Sequence, residues 1–235
     1  MPSVYIIGDC HSQFNFLNGL LNYTIDLNDP FLYYVIQVGD FGYFPKLGLN
    51  PGAALMIPDK CLGVYFVSGN HDDHSILKNF SWKDGPIELA PKLHYCPFGT
   101  VKTFGSSTFG FFGGALSPDM ILRHPGFDYF ENEEISQKEM DSLPESLFKT
   151  TFDYFISHTC PKSQLGKLVG KRDQYPDQST DYLQKLWERM NVPPKNWVFG
   201  HFHVNNSWVD KGTRFTVLDQ VSTLVKEECY IKVEV

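Results

Sequence analysis

The sequence runs to 235 residues with a formal net charge of -7, and 42% of it is hydrophobic and 15% aromatic. That length and apolar content predict one domain, 1–235, with its own packed core, and exclude a disordered or low-complexity chain. The acidic balance argues against a broad surface for long nucleic acid, so any anionic substrate must be met by a local cationic site. The N-terminus has no basic region followed by an apolar run, and no apolar stretch reaches the roughly 18 residues of a membrane span. A cytoplasmic protein with no membrane partner is expected. Five dispersed cysteines (Cys10, Cys61, Cys96, Cys160 and Cys229) give neither a disulfide framework nor a thiolate zinc site, and read as reduced thiols.

In chain order, Val4 to Ile7 is a short apolar run ending in Gly8-Asp9, and Phe14 to Leu21 then carries apolar residues at helical spacing. The run Phe31 to Val38 ends in Gly39-Asp40, and Val64 to Val67 leads to Gly69-Asn70-His71-Asp72, both of buried-strand type. Residues 93 to 112 alternate short β-prone runs with Gly and Pro, which predicts hairpins, and Gly113-Gly114 opens a loop containing Asp119 and Arg123. Phe152 to Ile156 leads into Ser157-His158, Thr180 to Met190 reads as a helix, and Trp197 to Phe199 leads into Gly200-His201-Phe202-His203. Arg214 to Leu218 and Tyr230 to Val235 read as terminal antiparallel strands. The expected class is α/β with a mixed sheet.

Five strand ends thus carry Asp, Asn or His beside glycine or at a strand exit, where open α/β sheets bind ligands. Convergence would gather Asp9, His11, Asp40, Asn70, His158, His201 and His203, an oxygen and nitrogen set that suits zinc, manganese or iron and lacks soft thiolate. Singly, a buried His is more often a hydrogen-bonded core residue and an Asp after a strand more often a cap. Seven together favour ligands, because buried charges must be paired or coordinated.

The ordered elements Gly8-Asp9-Cys10-His11, Gly39-Asp40, Gly69-Asn70-His71-Asp72, His158 and Gly200-His201-Phe202-His203 resemble the calcineurin-like metallophosphoesterase family. The segment from Gly113-Gly114-Ala115 through Ser117, Asp119, Arg123, Gly126 and Glu133-Glu134 resembles a branch of small bacterial and phage members. The resemblance implies a four-layer αββα sandwich with mixed β-sheets, and two divalent ions drawn from manganese, zinc, iron or nickel. It implies that Asp9, His11 and His203 bind one ion, that Asn70, His158 and His201 bind the other, and that Asp40 bridges them. A clamp of this kind orients a phosphoryl oxygen and lowers the pKa of a shared water, which attacks a small phosphate ester as hydroxide. Two divalent ions outweigh the aspartates and the hydroxide, so the centre stays cationic in an acidic protein.

In the family the histidine at His71 faces the leaving-group oxygen as general acid; a loop-bracing histidine is the plainer reading. Arg123 either holds a non-bridging phosphate oxygen or pairs with Asp119 at i, i+4. The chain departs from the family's protein Ser/Thr phosphatases at Phe41-Gly42-Tyr43-Phe44 and at Asp72, which weakens a protein-phosphatase reading. Asp72 either orients His71 or braces its loop. His74, His94 and His124 are assigned no role, and Glu131, Glu133 and Glu134 read as a solvated face or the first turn of a helix. Two rivals stand beside the phosphatase reading: a phosphodiesterase or nuclease acting on short nucleotides, and a non-catalytic scaffold of the same fold that binds a protein partner of unknown identity.

Overall fold

The computed structural model of the chain describes residues 2–48, 51–168, 177–221 and 229–235. Twelve strands are formed among them: β1 Ser3–Ile7, β2 Tyr33–Gln37, β3 Cys61–Phe66, β4 Ile87–Ala90, β5 Leu93–Tyr95, β6 Thr100–Phe104, β7 Ser107–Phe112, β8 Tyr154–Ser157, β9 Asn196–Phe199, β10 Asn206–Asp210, β11 Thr213–Val217 and β12 Tyr230–Glu234. They build two six-stranded sheets, ordered β12-β1-β2-β3-β5-β4 and β10-β11-β9-β8-β7-β6. Each is mixed: β1, β2 and β3 run parallel, as do β7, β8 and β9, with antiparallel strands at the edges.

Successive side chains on a strand point to opposite faces, and here both faces are covered. On β1, Val4 and Ile6 enter a layer shared with Phe109, Phe111, Ile156 and Val198 of the other sheet, while Tyr5 and Ile7 pack outward on Phe14, Leu17, Leu20 and Leu21. The second sheet buries its outer face, including Phe155, Trp197 and Phe215, against Leu183, Leu186 and Trp187 of the helix Gln178–Arg189. The result is helix, sheet, sheet, helix, the expected αββα sandwich. Continuous apolar runs in the sequence are the mark of strands buried on both sides.

Several boundaries differ from expectation. The first helix is α-helical over Phe14–Gly19 and then widens to a π-helix over Leu20–Ile25. Strand β2 starts at Tyr33, leaving Phe31 and Leu32 exposed, because Asp29 accepts the Phe31 N–H in a turn just before it. The helix expected over 180–190 begins at Gln178, where Asp177 caps the N–H groups of Ser179 and Thr180. The two tail strands do not pair with each other: β11 lies between β9 and β10, and β12 crosses to the other sheet and runs antiparallel to β1.

Truncating Ile156 to Ala in the intersheet layer should cost about 2–5 kcal/mol in a urea unfolding titration. Truncating Ile121, which is 89% exposed, should change stability by no more than about 0.5 kcal/mol. Equal losses would contradict a core shared between the sheets.

Candidate metal centre

Because β1–β3 are parallel and in register, Gly8-Asp9, Gly39-Asp40 and Gly69-Asn70 emerge side by side. Across from them, β7–β9 deliver Gly113, His158 and Gly200. The two central strands, β2 and β8, carry Asp40 and His158, and these side chains meet with His158 Nε2 3.2 Å from Asp40 Oδ1. Beside them, β9 faces β1: the His201 N–H donates to the Asp9 carboxylate at 3.0 Å. On the other flank, the Gly114 N–H donates to the Ser68 carbonyl at 2.7 Å. Glycine is required at the crossing points. Gly39 has φ of 103°, and a Cβ there would stand 2.6 Å from His158 Cγ. A Cβ on Gly200 would lie 3.0 Å from Asp9 Cγ.

Two sets of ligand atoms converge. His11 Nε2 and His203 Nε2 are 2.9 Å apart, with Asp9 Oδ2 3.2 Å from His203 Nε2 and Asp40 Oδ2 3.7 Å from His11 Nε2. On the other side, His158 donates its Nδ1–H to the Val38 carbonyl at 3.0 Å, so Nε2 is the nitrogen turned to the crevice, for a proton or a metal. That nitrogen faces Asp40 Oδ1 and, at 3.1 Å, Asn70 Oδ1. A ring N–H held by a backbone carbonyl is the usual outer support of a metal-binding imidazole. Lone pairs gathered this closely repel unless a cation lies among them, and neutral or anionic N and O donors with no thiolate suit a divalent transition metal. The residues therefore fit such an ion.

Charge points the same way. Asp9 and Asp40 are 0% and 1% exposed. Burial alone would raise the Asp40 pKa, but facing His158, with His71 and His11 nearby, holds it well below the usual carboxylate range. Burial works against a charged His158, yet Asp40 and Asp9 raise it to about 9. The hydrogen bond to Asp9 raises His203, whereas burial and the neighbouring His158 keep His201 well below the usual imidazole value. Two buried carboxylates thus draw positive charge into the crevice. His11, Asp40, His201 and His203 all have positive φ, between 48° and 70°; such backbone is worth roughly 1–3 kcal/mol of strain per residue and gathers at functional sites.

Among the described residues, three triads of Asp and His place candidate ligand atoms within 4.8 Å of one another: Asp9, His11 and His203; Asp9, Asp40 and His158; and His11, Asp40 and His71. His71, expected beside the ions and not on them, is thus within ligand reach as well. His201 enters none of these triads through its ring, which packs edge-on against His158 with centroids 4.9 Å apart. Burial lowers the His71 pKa to about 4, and its Nε2 accepts from Arg123 Nη2. Of the two readings of Arg123, the pair with Asp119 is formed. Its Nη2 pairs with Asp119 Oδ1 at 2.7 Å, and the guanidinium also reaches His71 and the Asn70 carbonyl.

The open role of Asp72 closes on loop bracing. Its Oδ1 accepts from the N–H groups of Gly42 and Tyr43, and Oδ2 from that of Gly69, which ties the Asp40 loop to the Asn70 loop. Burial and the nearby Asp40 charge raise this carboxyl to about 7. His74, which had no role, is a core residue whose Nε2–H donates to the Gly69 carbonyl at 2.6 Å. Gln37 binds Gly8 and both backbone groups of Gly39, and its only sequence signal was an amide at the end of an apolar run. Glu133 corrects the solvated-face expectation: it is 1% exposed and its carboxylate accepts from Ser117. No periodicity could have exposed it, because residues 113–134 are mostly irregular. All five cysteines are buried and free, and burial pushes the Cys10 thiol upward.

Replacing Asp72 by Asn would turn one acceptor oxygen toward an N–H as another N–H donor. The expected loss is about 1–3 kcal/mol in thermal or denaturant unfolding of metal-free protein. Unchanged stability would remove Asp72 from its bracing role.

Comparison with known proteins returns a match to the family model described as calcineurin-like phosphoesterase, over residues 2–221. No curated protein matches. Seventeen chains of solved structure do. A conserved uncharacterized protein from Streptococcus pneumoniae, a predicted phosphoesterase, is 15% identical with a TM-score of 0.41, covering 100% of this chain and 83% of its own. A Thermotoga maritima protein solved by NMR is 16% identical with a TM-score of 0.41, covering 100% and 92%. Phosphopantetheinyl hydrolase from Mycobacterium tuberculosis is 12% identical with a TM-score of 0.46, covering 99% and 95%. Likeness at this level bears on no substrate. The family match itself runs through every strand that delivers a side chain to the crevice, and the chain belongs to the calcineurin-like phosphoesterase family.

Proposed function

We propose that this chain, acting as one domain over residues 1–235, hydrolyses small phosphate esters with two divalent cations. One is held by Asp9, His11 and His203, the other by Asn70, His158 and His201, with Asp40 shared. The observation that carries the reading is the convergence of candidate ligand atoms on either side of Asp40, with His158 Nε2 3.2 Å and His11 Nε2 3.7 Å from its two oxygens. When bound, such an ion pair supplies Lewis acidity to the phosphoryl group and acidifies a shared water. The rest is done by the chain. Asp9 and Asp40 set the charge, the Val38 carbonyl holds the His158 imidazole, and Asp72 ties together the two loops that carry Asp40 and Asn70.

Arg123 meets a non-bridging phosphate oxygen, for which its planar fork is suited. His71 supports the leaving group. Because its Nε2 accepts from Arg123, the two roles are linked: the guanidinium must turn to the phosphate before His71 can hold a proton for the departing oxygen. No helix among the described residues is long and apolar enough to cross a membrane. Every proposed ligand and His71 are present, which disfavours a non-catalytic scaffold. A phosphodiesterase acting on short nucleotides remains the alternative enzyme.

Metal analysis followed by a panel of mono- and diesters with manganese, zinc, nickel and iron tests the reading. Two equivalents per chain and metal-dependent turnover are expected, and Asp40→Ala should lose both. Near-normal turnover by Asp40→Ala would overturn the shared-ligand assignment. Relative rates on mono- and diesters decide between the two enzyme readings.

His71→Ala at matched metal content should slow alkyl phosphates by roughly 10² to 10⁴, and nitrophenyl phosphate far less, since that leaving group departs readily as an anion. Equal losses on both would take His71 out of leaving-group support.

A further inference from the structure

An asparagine serves a metal through its oxygen alone, and its NH₂ must point away. At Asn70 something has to fix that choice, because both ends of the carboxamide are buried, with the residue 2% exposed. Asn70 Nδ2 lies 3.4 Å from Ser117 Oγ, while Oδ1 faces His158. The Ser117 hydroxyl donates in turn to Glu133 Oε2 at 2.9 Å, and the Ser117 N–H donates to Glu133 Oε1. Ser117 and Glu133 are 0% and 1% exposed.

We propose that Glu133 is a positioning residue that acts through Ser117 to keep the Asn70 oxygen turned toward the metal centre; this rests on the dinuclear reading above. The reason is polarity. A serine hydroxyl can give or accept, so it transmits whatever its other neighbour imposes. Burial raises the Glu133 carboxyl to about 7, while the two bonds from Ser117 and the nearby Arg123 favour its ionised form, and an ionised carboxylate accepts only. It accepts the hydroxyl hydrogen bond, which leaves Ser117 Oγ with lone pairs toward Asn70 to accept from the NH₂ end there. A glutamine in its place can donate to Ser117 Oγ instead, which frees the hydroxyl to donate to the Asn70 oxygen and turns the NH₂ into the site. Glu133 touches neither ion nor substrate. The Gly114 N–H bond to the Ser68 carbonyl keeps the Ser117 loop in step with the Asn70 loop.

The test is calorimetric titration of metal-stripped protein with manganese ion, alongside thermal melts of the metal-free variants. Glu133→Gln should weaken one of two equivalents about 10- to 100-fold, as loss of an outer-shell partner typically does, and leave the other within about twofold. Ser117→Ala, a smaller change that leaves the backbone contact to Glu133, should weaken the same equivalent. In an Asn70→Asp background both end atoms are oxygens and orientation loses its meaning. Glu133→Gln added there should be neutral or favourable, a loss or reversal of the effect that a merely structural role would not produce. Equal weakening in both backgrounds, weakening of both equivalents together, or no weakening would overturn the proposal. A wild-type chain that takes fewer than two equivalents sinks the dinuclear reading itself, a result separable from the others.

Discussion

A carboxylate sealed from water at the end of β2 is the constraint on which the crevice depends. Removing an ion from water costs several kcal/mol even after the protein relaxes, and Asp40 is 1% exposed with a second buried carboxylate, Asp9, close by. That charge has to be matched. His158 meets it from the opposite sheet, and His11 and His71 stand around it. In the metal-free chain the balance falls on His158, raised to about 9. A divalent cation answers the same demand more fully, and the geometry that favours protonation of His158 is the geometry that favours metal.

The crevice is held from behind by groups that meet no substrate. Asp72 gathers three N–H groups from two loops, Gln37 links the ends of β1 and β2, and His74 holds the carbonyl before Asn70. Gln37 and Asp72 hold the backbone on either side of the unfavourable Asp40, and Asp9 accepts from the equally unfavourable His201. Residues under such strain keep their arrangement because the surrounding hydrogen bonds leave little alternative.

The segment from Gly113 to Glu134 adds what the strands do not provide. It has little regular structure, yet it delivers the Ser117–Glu133 pair to one side of Asn70 and Arg123 to the other. One loop thereby bears on a proposed metal ligand, on His71 and on the region a phosphate would occupy. Loops set on a rigid scaffold commonly carry function in this way.

Local sequence determined a good deal. Apolar runs buried on both faces, closed by Gly8-Asp9, Gly39-Asp40, Gly69-Asn70 and Ser157-His158, marked the parallel strands and named Asp9, Asp40, Asn70 and His158 as residues at their exits, because those signals lie within a few positions of one another. What it left open required contacts between distant segments. Arg123 was read as either a phosphate contact or an Asp119 partner, and only the packed loop shows it reaching Asp119, His71 and Asn70 together. Glu133 looked solvated because its neighbours are acidic and polar; its burial follows from a partner 16 positions away. The tail strands were legible as strands, but not their placement in different sheets. Periodicity records which face of an element is apolar, whereas pairing and charge compensation across the crevice arise only when the two sheets close on each other.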